Sequence, residues 1–265
     1  SIYSGPIAAR AYDLLRPARG IVRRVVMLCP CHRVAVRGMA LPGATAFDTP
    51  LGRVAVDTEA IRQVQGFPGL VDFPEAHRQE HAIEVQLPFL QEVLGEFSLV
   101  PVIVGAMAPG EVARFLDQLW GGEETLIVIS TDLSHYHDYE TAHHIDAGTA
   151  QTICSLNPGI THEQACGATP LGGALIAAAG RQLACRMLDL RNSGDTAGGR
   201  GRVVGYGAFE LGAPGMKYDD RQGHELLSLA RAVISSAMDR RPMSVMHTAS
   251  WLRERRATFV TLKTG

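Results

Sequence analysis

Three short runs of aliphatic, largely β-branched residues constrain the fold of this sequence more than any other feature. They lie at residues 24–28, 99–104 and 125–130. Continuous apolar runs of this length are typical of strands that are buried on both faces of a sheet. Helical patterns separate them, at residues 84–94 and 109–120, and the second begins at Pro109, where proline is favoured. This alternation predicts an α/β fold with helices on both faces of the sheet.

The pattern continues in the second half of the sequence. Thr169 and Pro170 suit the N-cap and the first position of a helix rich in Ala and Leu. Two further strands are predicted at residues 183–190 and 202–211. The stretch between them, residues 192–201, is rich in Gly, Asp and Ser and is predicted to be a surface loop.

Composition narrows the class of protein. Of the 265 residues 46% are hydrophobic and 20% are charged, as in ordinary globular proteins, and the net charge of -2 offers no electrostatic footprint for nucleic acid. The apolar stretch at residues 171–180 is too short for a membrane span of about 20 residues. The 5 cysteines are irregularly spaced, which indicates reduced thiols. We therefore predict a cytoplasmic protein with neither nucleic-acid nor membrane partners.

Both ends of the sequence lead us to expect a piece of a longer chain. The first residue is not Met. The strand-like run at residues 257–262 is not followed by a second strand with which it could pair. We predict a first domain at residues 1–212, a linker at residues 213–223 and part of a second, α+β domain at residues 224–265.

The motif Cys29-Pro30-Cys31-His32 follows the first predicted strand. Ligand sites in open α/β sheets collect beyond the carboxyl ends of strands, and a neutral histidine there can bind a metal or move a proton. The two nearby cysteines suggest zinc, but no second ligand pair follows at regular spacing. The structural alternative is a strand end with a buried thiol.

A second motif, residues 130–135, also follows a predicted strand. Its Asp132 could orient the imidazole of His135, as in proton-transfer sites, although Ser, Thr and Asp also favour simple turns. His137, His143 and His144 follow closely, and we expect them on the solvated faces of a helix.

The third motif is Cys166, which precedes the predicted helix. The positive end of a helix dipole favours a thiolate, the form that binds metals or attacks electrophiles. The alternative is a small buried residue before a tight turn. Cys154 and Cys185 lack such a context, and we expect them to fill the core.

The fourth motif, residues 77–81, has the H-x-x-E-H pattern of inverted zinc peptidases. On a continuous helix, His77 and His81 would share a face, and Glu80 would be the base. The nearby Pro74 and the break before residue 83 argue against such a helix.

Together, these motifs resemble the Memo family. The matching stretches, in chain order, are residues 3–5, 8–12, 30–32, 47–52, 80–89, 101–105, 130–135, 166–167 and 205–208. The resemblance covers about residues 1–212. It implies the fold of the class III extradiol dioxygenases, a mixed central sheet with helices on both faces and a non-haem metal pocket above it.

The resemblance also implies roles for five residues. His32 and Cys166 match metal ligands, His135 matches the acid/base histidine of the dioxygenases, and Asp132 and His81 should line the same pocket. Because a cysteine stands where the dioxygenases have a carboxylate, the site is softer and suits iron or copper, and ring cleavage itself is in doubt.

Two departures from the family pattern concern the metal. The family's first ligand, a histidine, is expected to precede residue 1, which would leave two ligands and weaken binding. Cys31 stands where many relatives have Ser, and it could add a thiolate or make the site prone to oxidation. Arg33 stands where many have a second His.

The last part of the sequence, residues 224–265, resembles the start of an AMMECR-like domain, carried by residues 229–231, 251–254 and 256–262. A Memo domain beside such a domain resembles the AmmeMemoRadiSam system, which implies a radical-SAM partner protein.

Three functions follow as alternatives. The first is a metal-dependent redox protein, such as a dioxygenase-like enzyme, that acts on an unknown small molecule or peptide. The second is a binding module that uses the same pocket without chemistry. The third is a zinc hydrolase built on His77, Glu80 and His81. The sequence leaves open whether the protein is an enzyme.

Overall fold

The computed structural model describes residues 1–214, which form a mixed sheet with helices on both faces and a second, smaller sheet. The strands of the large sheet are β1 (Arg24–Pro30), β2 (Met39–Leu41), β3 (Ala46–Thr49), β4 (Gly52–Val56), β5 (Leu70–Asp72), β6 (Ser98–Val104) and β7 (Thr125–Ile129). The helices are α1 (Gly5–Asp13), α2 (Thr58–Val64), α3 (Pro74–Arg78), α4 (Leu87–Leu94), α5 (Pro109–Leu119), α6 (Tyr139–Cys154) and α7 (Ala168–Gly180). The smaller sheet contains β8 (His135–His137), β9 (Ala184–Asn192) and β10 (Val203–Gly212).

The centre of the large sheet is parallel. Its order is β3-β4-β6-β1-β7, with β4, β6, β1 and β7 parallel to one another, whereas β3 and β2 pair antiparallel with β4 and β6. The three apolar runs at residues 24–28, 99–104 and 125–130 form β1, β6 and β7. The predicted α/β class and mixed sheet are confirmed.

Strand β1 shows why both faces are covered. Val26 and Leu28 belong to the core on one face, and Val25 and Met27 to the core on the other, because successive strand residues point in opposite directions. Helices α5 and α7 contribute to the first core, and helices α1 and α4 to the second. A strand buried on both sides needs apolar residues at every position, which is what the sequence has.

Two predicted helix starts are wrong. Helix α4 begins at Leu87, not at residue 84, so that Pro88 lies in its first turn, where no backbone N–H is required. Helix α7 begins at Ala168 with Gly167 as its N-cap, so Thr169 does not cap it. The Thr131 hydroxyl caps this helix from a distance, because the backbone N–H of Gly167 donates to its Oγ1 at 2.7 Å.

The predicted loop at residues 192–201 contains a short 3-10 helix, Ser193–Asp195, closed by a capping box from Asn192. In the described part of the chain, no helix is long and apolar enough to cross a membrane. The segment at residues 224–265, predicted to begin an AMMECR-like domain, lies outside the described residues, as does the predicted linker beyond residue 214.

Candidate functional site

A cleft lies beyond the carboxyl ends of β1 and β7. These strands run in parallel register, Leu28 beside Ile129, so the residues that follow them leave the sheet at the same edge. The cleft has a volume of about 420 Å³. It is lined by His32, His135, Tyr136, His137, His162, Glu163 and Cys166. It therefore unites three of the five predicted site residues, His32, His135 and Cys166, whereas Asp132 and His81 are not part of its lining.

His32 is held by the carboxylate of Glu80. The backbone N–H and the Nδ1 of His32 both lie 2.9 Å from Glu80 Oε2, and the backbone N–H of His81 donates to Oε1 at 3.1 Å. Burial would raise the pKa of Glu80, but these hydrogen bonds outweigh it and lower the pKa to about 2. An ionised carboxylate at Nδ1 keeps the proton there, so a neutral ring has its lone pair on Nε2. Metal-binding histidines commonly have this kind of carboxylate partner.

The motif at residues 77–81 does not form a zinc-peptidase helix. Helix α3 ends at Arg78, so His77 and His81 do not share a helical face, in line with the argument from Pro74 and the break before residue 83. His77 is buried, and its Nε2 lies 2.9 Å from the carbonyl oxygen of Ala40, whereas His81 is exposed. Burial lowers the pKa of His77. Glu80 instead pairs with His32, so these three residues do not have the arrangement that the zinc-hydrolase hypothesis requires.

Cys166 lies just before helix α7 and contacts the segment that leaves β7. The backbone N–H of Asp132 donates to its Sγ at 3.3 Å, and Thr131 Oγ1 lies 3.4 Å away. Because Thr131 also accepts from the N–H of Gly167, one hydroxyl connects the end of β7 to the start of the helix. The position of Cys166 is thereby fixed from two directions.

His135 lies beside the buried carboxylate of Asp132. Its Nε2 is 3.5 Å from Asp132 Oδ2, a loose contact rather than a tight hydrogen bond. The same segment is anchored by the buried Asp146, whose Oδ1 accepts from the backbone N–H of Ser134 at 2.9 Å. Burial raises the pKa of Asp146. The imidazole of His135 is thus supported by two acids, one at the ring and one behind the backbone.

Strand β8 breaks the usual alternation of side chains. Neighbouring residues of a regular strand point to opposite sides, yet His135, Tyr136 and His137 all line the cleft. The reason is the left-handed backbone of Tyr136, with φ of 63°, which is costly for a bulky residue. The Tyr136 ring meets His135 edge-on at 5.7 Å, and the guanidinium of Arg202 lies 5.0 Å from its centre.

The histidines after residue 135 divide into two kinds. His137 was expected on a solvated helix face, but it belongs to β8 and lines the cleft. His143 and His144 are exposed on helix α6, as expected.

The donors of the cleft fit part of a metal site. The imidazole of His32 and the thiol of Cys166 are ligands that iron, copper and zinc accept. Within residues 1–214, however, no group of three or more His, Cys, Asp and Glu side chains is placed to hold a metal ion. A protein site for these metals commonly needs at least three donors. The predicted iron or copper therefore stays a prediction.

Several lining residues were not predicted from the sequence. For His162 and Glu163 the sequence offers only a weak indication, which is that they lie shortly before Cys166 in the chain. Nothing in the sequence indicated that Glu80 would pair with His32, because 48 residues separate them.

The fold and the cleft define a class: an α/β protein with a pocket lined by histidines and a cysteine at the carboxyl edge of a mixed sheet. Residues 1–210 match the family described as Memo-like protein. MEMO1 family proteins from Methanothermobacter thermautotrophicus and Aeropyrum pernix are 33% and 35% identical to this chain. The first match covers 77% of this chain and 79% of the relative, and the second covers 79% of each. A MEMO1 family protein from Aquifex aeolicus is 33% identical, over 77% of this chain and 80% of the relative. The chain belongs to the Memo family.

Proposed function

We propose that the cleft binds a redox-active metal ion, iron or copper, and acts on a small molecule or peptide. The observation that carries the proposal is the carboxylate–histidine pair in which Glu80 holds Nδ1 of His32 while His32 lines the same cleft as Cys166. This pairing orients the imidazole and raises its basicity, which is the role that carboxylates have beside metal-binding histidines.

His32 Nε2 and Cys166 Sγ are the atoms that would hold the metal, together with at least one further donor. When bound, such a metal would supply one-electron chemistry, and the soft sulfur ligand would favour copper(I) or iron over hard cations. The half-buried Cys166 is held in place by the contacts of its sulfur with Thr131 and Asp132.

His135 would act as a general base. A carboxylate of Asp132 at 3.5 Å from Nε2 would favour the ring proton on that nitrogen, which would leave the lone pair of the neutral ring on Nδ1. His135 could then accept a proton from a bound substrate at Nδ1, while Asp132 stabilises the resulting imidazolium. Tyr136, at 64% exposure, would form the outer wall against which the substrate rests.

The test is metal analysis of the protein expressed at its natural full length and kept anaerobic. The protein is loaded separately with Fe(II) and Cu(I), desalted and assayed by mass spectrometry for bound metal. We expect close to one equivalent in the wild type and its loss in His32→Ala and Cys166→Ser. Glu80→Gln should weaken affinity by about 10- to 100-fold. The control is His143→Ala, an exposed histidine of helix α6 that does not line the cleft, and it should retain the metal.

A second function, a binding module without metal, is favoured by one observation. Within residues 1–214 the side chains offer no complete set of metal donors. A folded wild type that stays free of metal under these conditions would contradict the redox proposal and favour the binding module. The radical-SAM partner and the AMMECR-like domain remain predictions that rest on the resemblance, and the cytoplasmic location remains a prediction that rests on the composition.

A further inference from the structure

Two cysteines outside the cleft lie with their sulfurs in contact. Cys154 is the last residue of helix α6, and Cys185 is the second residue of strand β9. Their Sγ atoms are 3.5 Å apart, although 31 residues separate them in the chain. A disulfide requires about 2.05 Å, so the sulfurs would have to close by roughly 1.5 Å. Neither residue lines the cleft.

The other cysteines have different surroundings. Cys29 is fully buried in the core, the thiol of Cys31 donates to the carbonyl oxygen of Val34, and Cys166 contacts Thr131 and Asp132. All 5 cysteines lie within the described residues. Among them, Cys154 and Cys185 alone form a hydrogen bond between sulfurs. The pair is therefore the place where oxidation can join two thiols with the least movement.

The surroundings also assign unequal roles to the two sulfurs. Both side chains are partly exposed at the margin of the core, so a small oxidant can reach them. Cys185 donates its S–H to Cys154, and burial, followed by the nearby Cys154, raises the pKa of Cys185. In this contact Cys185 is the donor and Cys154 is the acceptor.

We propose that Cys154 and Cys185 form a reversible disulfide and are a modification site that takes a hydroperoxide as oxidant. Cys154 loses its proton as its sulfur attacks one oxygen of hydrogen peroxide; the S–O bond forms, the O–O bond breaks, and the departing hydroxide takes up that proton and leaves as water. Cys185 then attacks the sulfur of the resulting sulfenic acid. The S–S bond forms, the S–O bond breaks, and the departing hydroxide takes the proton of Cys185 as a second water. The two thiols are oxidised by two electrons in total, and the peroxide is reduced by two.

The disulfide would tie the end of helix α6 to strand β9. Because helix α6 follows strand β8 in the chain, the link would restrain an element next to the cleft wall. A crosslink that closes a loop of this size restricts mainly the unfolded chain. Oxidation should therefore raise the midpoint of thermal unfolding by roughly 5–10 °C.

The experiment treats the reduced, full-length protein with a small excess of hydrogen peroxide. Remaining thiols are then alkylated under denaturing conditions, and the intact mass and a peptide map are recorded. We expect the loss of two hydrogens, a linked peptide that joins Cys154 to Cys185, the rise in the unfolding midpoint, and reversal of all three by dithiothreitol. Cys154→Ser and Cys185→Ser should each abolish the linked peptide and the thermal shift. The matched control, Cys31→Ser, removes a thiol elsewhere and should keep both.

Other outcomes would overturn the inference. These are a linked peptide that involves Cys29, Cys31 or Cys166 in place of this pair, or sulfinic acid at residue 154 or 185 without a crosslink. Survival of all thiols at peroxide concentrations that oxidise free glutathione would also overturn it. Circular dichroism checks that each serine variant is folded. If one of them is not, the other still tests the pair, because each variant removes one of the two sulfurs.

Discussion

Replacement of Glu80 by glutamine removes the charge that holds His32 while keeping the shape of the side chain. The pKa of Glu80 falls from 4.5 to about 2 on folding, and each unit corresponds to about 1.4 kcal/mol. The full shift would correspond to about 3.4 kcal/mol. Glu80 is 6% exposed, but the side chain of its partner His32 is 25% exposed. Solvent screening on that side reduces the contribution to about 2 kcal/mol.

The sign of the pH dependence follows from a lowered pKa. The stabilisation by Glu80 is fully present above the unfolded-state pKa, and it is lost as the pH falls from there through the folded-state pKa of about 2. Glu80→Gln should thus be less stable than the wild type by about 2 kcal/mol at pH 6 and by less than half of that at pH 3. Urea unfolding at a series of pH values between these limits measures the difference.

The neighbouring Glu84 provides a matched control. Burial raises the pKa of Glu84, so its contribution to stability is present at low pH and is lost as the pH rises. Glu84→Gln should therefore gain stability relative to the wild type between pH 3 and pH 6, opposite to Glu80→Gln. A difference between wild type and Glu80→Gln that is equal at both pH values would refute the charged pairing of Glu80 with His32.

Three further predictions concern packing and the rejected hydrolase motif. Gly205→Ala would place a Cβ onto the carboxylate of Asp146, and we expect a loss of about 2 kcal/mol or more in chemical unfolding. His77→Ala removes the buried contact with the carbonyl of Ala40 and should lower stability by about 1–3 kcal/mol without changing the bound metal, measured by mass spectrometry; a parallel loss of metal would contradict this. Leu116→Ala opens a cavity in the core beside the sheet and should cost about 2–5 kcal/mol, visible as a lower unfolding midpoint.

The sequence predicts the sheet well because burial on both faces leaves a local trace. Strands β1, β6 and β7 are apolar at nearly every position, which is the pattern of strands buried on both faces. Helix starts are predicted less well when their partners are distant. Thr169 is a plausible local cap, but the hydroxyl that serves helix α7 belongs to Thr131, 36 residues before the Gly167 whose N–H it accepts.

The same distinction applies to the cleft. His32, His135 and Cys166 follow strands or precede a helix, so general rules about strand ends and helix starts find them. The role of Glu80 depends on a contact across 48 residues, and that of Tyr136 on a backbone angle that its residue type disfavours. Neither leaves a local pattern, because tertiary structure alone creates the contact and imposes the angle.

The separation of the cleft residues along the chain has a consequence for the whole molecule. His32 follows β1, His135 begins β8 and Cys166 precedes α7, so a ligand that touches all three closes one loop of roughly 100 residues and another of roughly 30. Such a ligand is a tether between segments that drift far apart once the chain unfolds. Its departure would therefore weaken the resistance of the entire sheet to unfolding, and the filled and empty proteins should differ in lifetime inside a cell as well as in reactivity.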